Sequence, residues 1–363
     1  MKSAKKILAV LLIAILAIGN TSLVMAQEKT NPQILSLNDD YDLSNYAYSV
    51  FQKHLHALIN TEELKEDVSQ YSLGESFTIF NVKEKTHSTC FPVLCNSKMV
   101  AILEVNKVGR EYTSTLSQSF AKELEKRLLD NEKKSFVLIT DGVHLQAFDG
   151  IDIDEIYQLY DDGQKSTDLS TNLDFDMSEL PKHLMHSDIT ITQSYGLAIT
   201  RGPAGPTSYK TLNVKGVSQG NHPWCWAATC AALINYYKGT SLTASTVANY
   251  VFPGNPEKGG TWTDIKKAYN HWKLYPSQTG VISFSNVKSI INSNKPMHLG
   301  LKGHSVGLIG YEDWVGAISS NDRILILLEP NGGVIKSVSL NSSGNFTYSL
   351  GGGSNAWQYT RKF

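Results

Sequence analysis

Cys225 is the residue in this sequence best placed to do covalent chemistry. It lies in the stretch SQGNHPWCWAATCAALINYY, residues 218 to 237. Pro223 suits the first turn of a helix, and the apolar residues that follow cover every face, so a buried helix is expected with Cys225 at its N-terminus. A thiolate there is favoured by the positive end of the helix dipole. A neighbouring imidazolium lowers a thiol pKa further, from about 8.5 to roughly 3.5–7.5 in reactive cysteines. The segment LKGHSVGLIGYED, residues 301 to 313, supplies His304 at the start of an apolar strand. The next apolar run, RILILLEP, ends in Glu329, an acid able to accept from the ring and hold its tautomer. Gln219 lies six residues before Cys225, in the preceding loop. Its amide and the Cys225 backbone N–H could together meet a developing oxyanion, each donor contributing about 2.7–4 kcal/mol.

Each of these residues also has a plainer reading. A histidine at the head of a strand is more often structural, and a loop glutamine is usually solvated. Trp224 and Trp226 read as core or cleft wall. In NPEKGGTW, residues 255 to 262, Gly259 and Gly260 present either an ordinary turn or a bare backbone along which a peptide adds as a strand. Cys230 is five residues from Cys225, about 140° around the same helix, so the two do not bridge, and Cys230 reads as a small buried hydrophobe. Cys90 and Cys95 could pair only if a turn intervenes. Asp141, Asp149, Asp152 and Asp154 miss the EF-hand spacing, and no zinc pattern is present, so neither a metal nor another cofactor is expected.

QGNHPWCWAA, GHSVGLIGY and ILILLEP, in that order and at that distance, resemble the cysteine, histidine and third-residue motifs of papain-like cysteine peptidases, nearest to the secreted bacterial staphopain type. The resemblance covers about residues 211 to 363. It implies Cys225 as nucleophile, His304 as general base and then acid, Gln219 in the oxyanion hole, and Gly259, Gly260 and Trp224 along the substrate cleft. The third member departs from the staphopain pattern, which has Asn before Pro. This chain has Glu329-Pro330, with Asn331 late, and the orienting role is assigned to Glu329 with Asn331 as the alternative. Such enzymes are made as zymogens. The implied layout is a leader at 1–26, an acidic inhibitory prodomain and linker at 27–205, and the peptidase at 206–363, acting on proteins or peptides as a monomer. Rival readings are a cell-wall amidase using the same thiol, and an inactive papain-like binding protein.

The elements must place these groups. Over 363 residues, 41% are hydrophobic and 18% charged, enough for two globular cores and too apolar for disorder. Lys2, Lys5 and Lys6 precede ILAVLLIAILAIG, with Val24 and Ala26 at signal-peptidase positions, so the chain is expected to be exported; the apolar run is short of a membrane span. Residues 27–200 carry 15 Lys/Arg against 28 Asp/Glu, a net −13, while residues 201–363 carry 15 against 6, a net +9. That split reads either as coincidental drift between two domains or as an acidic segment that docks on a basic one. The lysines are scattered, without an Arg-rich run or RNA-binding motif, so nucleic acid is not an expected partner.

Residues 41–60 have helical spacing. YSLGESFTIFNV, FPVL and MVAILEVNKV read as strands, residues 116–134 as a helix, and SFVLITDGVHLQAFDG as a hairpin at Asp141-Gly142. The expected first domain is α+β with an antiparallel sheet. The second begins with helices at about 225–237, 241–252, 261–272 and 285–294. PMHLGL, HSVGLIGYE, RILILLEP, VIKSVSLN, NFTYSL and NAWQYTRKF follow as strands. The fold class is therefore α+β: a helical lobe followed by an antiparallel β lobe, behind an α+β prodomain.

Overall fold

The structure, a computed structural model, describes residues 34–37, 41–130, 135–149, 153–159, 184–187, 205–314 and 323–363. The expected leader at 1–26 and most of the expected linker between 160 and 204 lie outside the described residues. No described helix is long and apolar enough to cross a membrane.

The N-terminal half comprises β1 (Ile34–Ser36), α1 (Tyr41–Ile59), β2 (Tyr71–Leu73), β3 (Phe77–Asn81), β4 (Thr86–Cys95), β5 (Lys98–Val108), β6 (Glu111–Ser117), α2 (Ser119–Asp130), β7 (Val137–Thr140), β8 (His144–Phe148), β9 (Ile153–Gln158) and β10 (Met185–Ser187). The C-terminal half comprises β11 (Ser208–Thr211), α3 (Cys225–Lys238), α4 (Ala244–Val251), α5 (Trp262–His271), β12 (Ser277–Thr279), α6 (Phe284–Asn292), β13 (Met297–Leu301), β14 (Ser305–Asp313), β15 (Arg323–Glu329), β16 (Val334–Ser339) and β17 (Trp357–Lys362). The fold is mixed α+β, and helices precede most strands in the C-terminal half.

Local sequence accounts for these elements. In α1, Leu43, Ala47, Val50, Leu55 and Leu58 are buried at helical spacing. α3 is buried continuously from Cys225 to Ile234, which explains its apolar residues on every face, and ends at Gly239, whose left-handed φ of 64° closes the helix. α5 starts with a capping box between Thr261 and Asp264. Asp141 shapes the β7–β8 turn by accepting from the backbone N–H groups of Val143 and His144.

Three expectations are corrected. First, the two halves do not carry separate sheets. One 15-stranded sheet runs β12-β17-β13-β14-β15-β16-β6-β5-β4-β3-β7-β8-β9, with β11 on β14 and β2 on β4. The join is the antiparallel pair β16–β6, where Ser337 faces Leu116 and Val338 faces Thr115. Second, β3 and β7 pair in parallel, so the N-terminal part of the sheet is not wholly antiparallel. Third, NFTYSL forms an isolated bridge at Thr347 and a 3-10 turn at Leu350–Gly352 rather than a strand, because this segment turns across the junction and donates from Gly351 N to Glu104 Oε1 at 3.1 Å. The question of Cys90 and Cys95, open in the sequence, is answered by the strand: no turn separates them. Both lie on β4, five residues apart and hence on opposite faces, and both are free thiols.

α1 packs over the join. Its His54 places Nδ1 2.8 Å from Ser337 Oγ and Nε2 2.8 Å from Ser114 Oγ, bridging β16 and β6. Further along the junction, the Asn331 side-chain amide donates to the carbonyls of Gln158 at 2.6 Å and Leu159 at 3.3 Å.

Candidate active site

Trp224 is the N-cap of α3 and makes no side-chain cap bond, so the helix presents its first N–H groups beside Cys225. The two tryptophans explain why the cysteine is bracketed. Trp224 Nε1 donates to the Pro256 carbonyl at 2.7 Å, and Trp226 Nε1 donates to the Lys258 carbonyl at 3.0 Å. Together they tie the 256–260 loop to either side of the thiol. His222 stacks on Trp224 at 3.9 Å and places Nδ1 2.9 Å from Glu257 Oε2, reinforcing the same loop. Gly260 is required by close approach: a Cβ there would lie 2.4 Å from the Trp226 ring. A Cβ at Gly259 would meet nothing within 4 Å, so that exposed position borders open space.

The β13–β14 hairpin delivers His304. Gly303 adopts φ 74°, and the Leu301 N–H donates to the His304 carbonyl at 2.9 Å. β14 lies against α3, where Thr229 Oγ1 donates to the Ser305 carbonyl at 3.2 Å. Antiparallel pairing of Gly307 with Leu328 then puts the end of β15 beside the start of β14. The result is a buried array. His304 Nε2 lies 3.1 Å from Glu329 Oε1 and 3.3 Å from Oε2, and the Cys225 thiol is near enough to act on the protonation of the His304 ring. Tyr348 stacks on that ring with centroids 5.7 Å apart.

Electrostatics follow from this packing. Burial is the largest influence on His304 and lowers its pKa. The Glu329 charge and the hydrogen bonds to Cys225 and Glu329 together override it, raising the pKa to about 9. Burial pushes Glu329 up, but the charges of His304 and Lys336, with the Asn331 N–H, hold it below the ordinary value. Cys230 is fully buried and pushed up to about 12, chiefly by desolvation, so at neutral pH it is a protonated, inert thiol.

Gln219 is buried in the preceding loop. Its backbone N–H donates to the Pro330 carbonyl at 2.9 Å, tying the loop to the residue after Glu329. Its side-chain Nε2 donates to the His222 carbonyl at 2.9 Å, which leaves the second amide hydrogen available. His304 and Glu329 are therefore joined directly, and the loop that carries Gln219 and leads into Cys225 is tied to Pro330 beside them. Asn331 contributes its backbone N–H to Glu329 Oε1 at 2.8 Å and turns its side chain toward Gln158.

Two neighbours of the array carry no expectation from the sequence. Lys336 places Nζ 3.5 Å from Glu329 Oε2 and 3.4 Å from the Tyr157 hydroxyl, and Tyr348 covers the His304 ring. A lysine in the middle of the apolar strand VIKSVS is the available signal, since a buried ammonium needs a carboxylate or hydroxyl partner.

Residues 211–358 match the model of the Peptidase_C39 like family, a span that contains Gln219, Cys225, His304 and Glu329. That match supports a cysteine peptidase in the C-terminal half. No curated protein matches the chain. Among solved structures, the crystal structure of UfSP from C. elegans is similar at 14% identity and a TM-score of 0.27, over 46% of this chain and 35% of that one. The chain thus spans about a third of that protein's length.

Proposed function

We propose that the protein is a secreted, papain-like cysteine endopeptidase made as a zymogen, with Cys225 as nucleophile. The observation that carries this reading is the buried His304–Glu329 pair, with Nε2 3.1 Å from Oε1, on a strand that Thr229 ties to the helix beginning at Cys225. In the proposed mechanism His304 takes the thiol proton, and the thiolate attacks the peptide carbonyl. The resulting oxyanion is met by the Cys225 backbone N–H and the second Gln219 amide hydrogen. As the C–N bond breaks, His304 gives the proton to the leaving amine, and a thioester remains on Cys225. His304 then deprotonates a water that attacks the thioester, releasing the acid and restoring the thiol. Glu329 keeps Nε2 protonated and the ring oriented, as the acidic member does in a catalytic triad.

The zymogen reading is supported by contacts of the N-terminal half at the foot of this array. Asn331, two residues after Glu329, is bound to the Gln158 and Leu159 carbonyls, and β16 is bound to β6. Export rests on the sequence of residues 1–26.

The test is casein turnover and labelling by a thiol-directed epoxide, for wild type and Cys225→Ala. The expected outcome is loss of both in the variant. Label found on Cys230 would sink the assignment, and lysis of purified peptidoglycan without casein cleavage would favour a cell-wall amidase.

A further inference from the structure

β17 carries a buried cation that this mechanism does not use. Arg361 is 6% exposed. Its guanidinium lies over Gly300, where a Cβ would come within 3.1 Å of Nη1 and 3.2 Å of Nη2, so a bare backbone admits it. On another side, Cζ lies 5.3 Å from the centroid of the Trp262 ring. Nε donates to Gln278 Oε1 at 2.9 Å, whereas Nη1 is buried without a hydrogen-bond partner. The ionisable groups that influence it, Tyr269, Cys230, Tyr359 and Cys225, include no carboxylate. Among the described residues, then, this guanidinium has no counter-ion.

A second orphan sits beside it. His298 on β13 faces Arg361 across the strand pair, and its Nε2 is also buried without a partner, while Nδ1 lies 2.9 Å from the Tyr269 hydroxyl. When Tyr269 donates to Nδ1, the neutral ring carries its proton on Nε2 and offers a second donor. Two unsatisfied buried polar atoms on paired residues are unusual in one place. Arginine cannot relieve its burial by losing its proton, so an anion is the remaining remedy.

The location ties this pair to catalysis. Trp262 opens α5 two residues after Gly260, which packs against the ring of Trp226, the residue next to Cys225. We propose that Arg361, with His298 beside it, is a specificity site that binds an anionic side chain, an aspartate or glutamate carboxylate, of the peptide substrate near its scissile bond. This rests on the peptidase reading above and adds to it the class of substrate. The planar guanidinium, held on one edge by Gln278 and flanked by Gly300 and Trp262, suits a carboxylate better than a flexible ammonium would. A peptide lacking the acid leaves both donors unpaired, and discrimination follows from that penalty.

The test uses the full chain, activated by limited proteolysis between its halves. Matched peptide sets differ only in carrying Glu, Asp, phosphoserine, Gln, Ala or Lys at each position within four residues of the cleaved bond. At one position kcat/KM is expected to favour Glu or Asp over Gln by at least about tenfold, mainly through KM. Arg361→Gln should erase that preference, bringing the kcat/KM ratio of the Glu peptide to the Gln peptide to about one. Preference for phosphoserine over both acids would overturn the carboxylate assignment. Cleavage with no acid preference at any position overturns the site and leaves the peptidase reading standing. A uniform loss on all peptides in Arg361→Gln, with the preference intact, assigns Arg361 a structural role and also overturns it. If that variant does not fold, the wild-type profile alone decides. No cleavage and no epoxide uptake at Cys225 would remove the peptidase reading itself, and this site with it.

Discussion

The side-chain amide of Asn331 donates to the Gln158 carbonyl at 2.6 Å, across the junction of the two halves, so it is turned away from His304. Only its backbone N–H serves the array, at 2.8 Å from Glu329 Oε1. Alanine at 331 keeps that backbone donor. Asn331→Ala should therefore leave kcat/KM of the processed enzyme within about threefold of wild type, while Glu329→Ala should lose two orders of magnitude or more, about 2.7 kcal/mol or above. The same Asn331→Ala change should speed separation of the N-terminal half. A dead Asn331→Ala enzyme beside an active Glu329→Ala enzyme would transfer the orienting role to Asn331.

Glu329→Gln separates the hydrogen bond from the charge. An amide oxygen still accepts from His304 Nε2, but the negative charge that offsets burial and holds His304 at about 9 is gone. The His304 pKa should fall, and the alkaline limb of kcat/KM against pH should move to lower pH. Stability follows the same sign. With a folded pKa above the ordinary 6.5, His304 contributes fully below pH 6.5 and loses that contribution as pH rises through about 9. Thermal midpoints between pH 6.5 and 9 should fall less steeply in the Gln variant. An unmoved alkaline limb with an unchanged slope would count against the charge.

Lys336 and Glu329 are both buried, with Nζ 3.5 Å from Oε2. Removing one partner of such a pair leaves the other charge uncompensated, at a cost of about 3–5 kcal/mol. Lys336→Met should destabilise the full chain by that order and raise the Glu329 pKa, since the lysine charge helps hold it down. Denaturant melts measure the first effect. A variant as stable as wild type would mean that the 3.5 Å pair contributes little.

The chemistry is legible in the sequence because its signals are local. A cysteine before an all-apolar helix, a histidine after a glycine at the start of a strand, and an acid closing an Ile/Leu run each announce themselves within a short stretch. Pairing partners do not. β6 and β16 are far apart in sequence, and β16 is buried on both faces along most of its length, so alternation could not reveal which strand lies beside it. β11 and β12 are 4 and 3 residues long, too short for a periodic pattern. Nothing in WQYTRKF marks Arg361 as buried, and the Gly300 and Trp262 walls show it to be so. The charge split of the sequence suggests docking by ion pairs, whereas the junction is built largely of strand pairing and hydroxyl, amide and imidazole contacts.

The last prediction concerns His54, which joins α1 to both strands of the β16–β6 pair through Ser337 and Ser114. Burial, helped by the neighbouring Lys53 charge, lowers its pKa to about 3 from the ordinary 6.5. A depressed folded pKa means that the stability is present above pH 6.5 and is lost progressively as pH falls toward 3, because the unfolded or undocked chain takes up the proton first. At pH 5 that loss is roughly 2 kcal/mol from this one group. Glu104, raised to about 7 mainly by burial, and His304 act in the opposite direction over the same range, so the raw pH profile mixes the three. Comparison with His54→Gln isolates the histidine, since glutamine can still bond one serine but does not titrate. In a Cys225→Ala background, which prevents self-processing, the melting midpoints of the chain with His54 intact and of the His54→Gln variant should converge between pH 7.5 and 5, with the Gln variant the less stable at pH 7.5. The N-terminal half should likewise loosen in acid, read as faster cleavage of the junction by an added protease, and the Gln variant should lose that acceleration. A constant stability difference across the whole range would show that His54 does not sense pH.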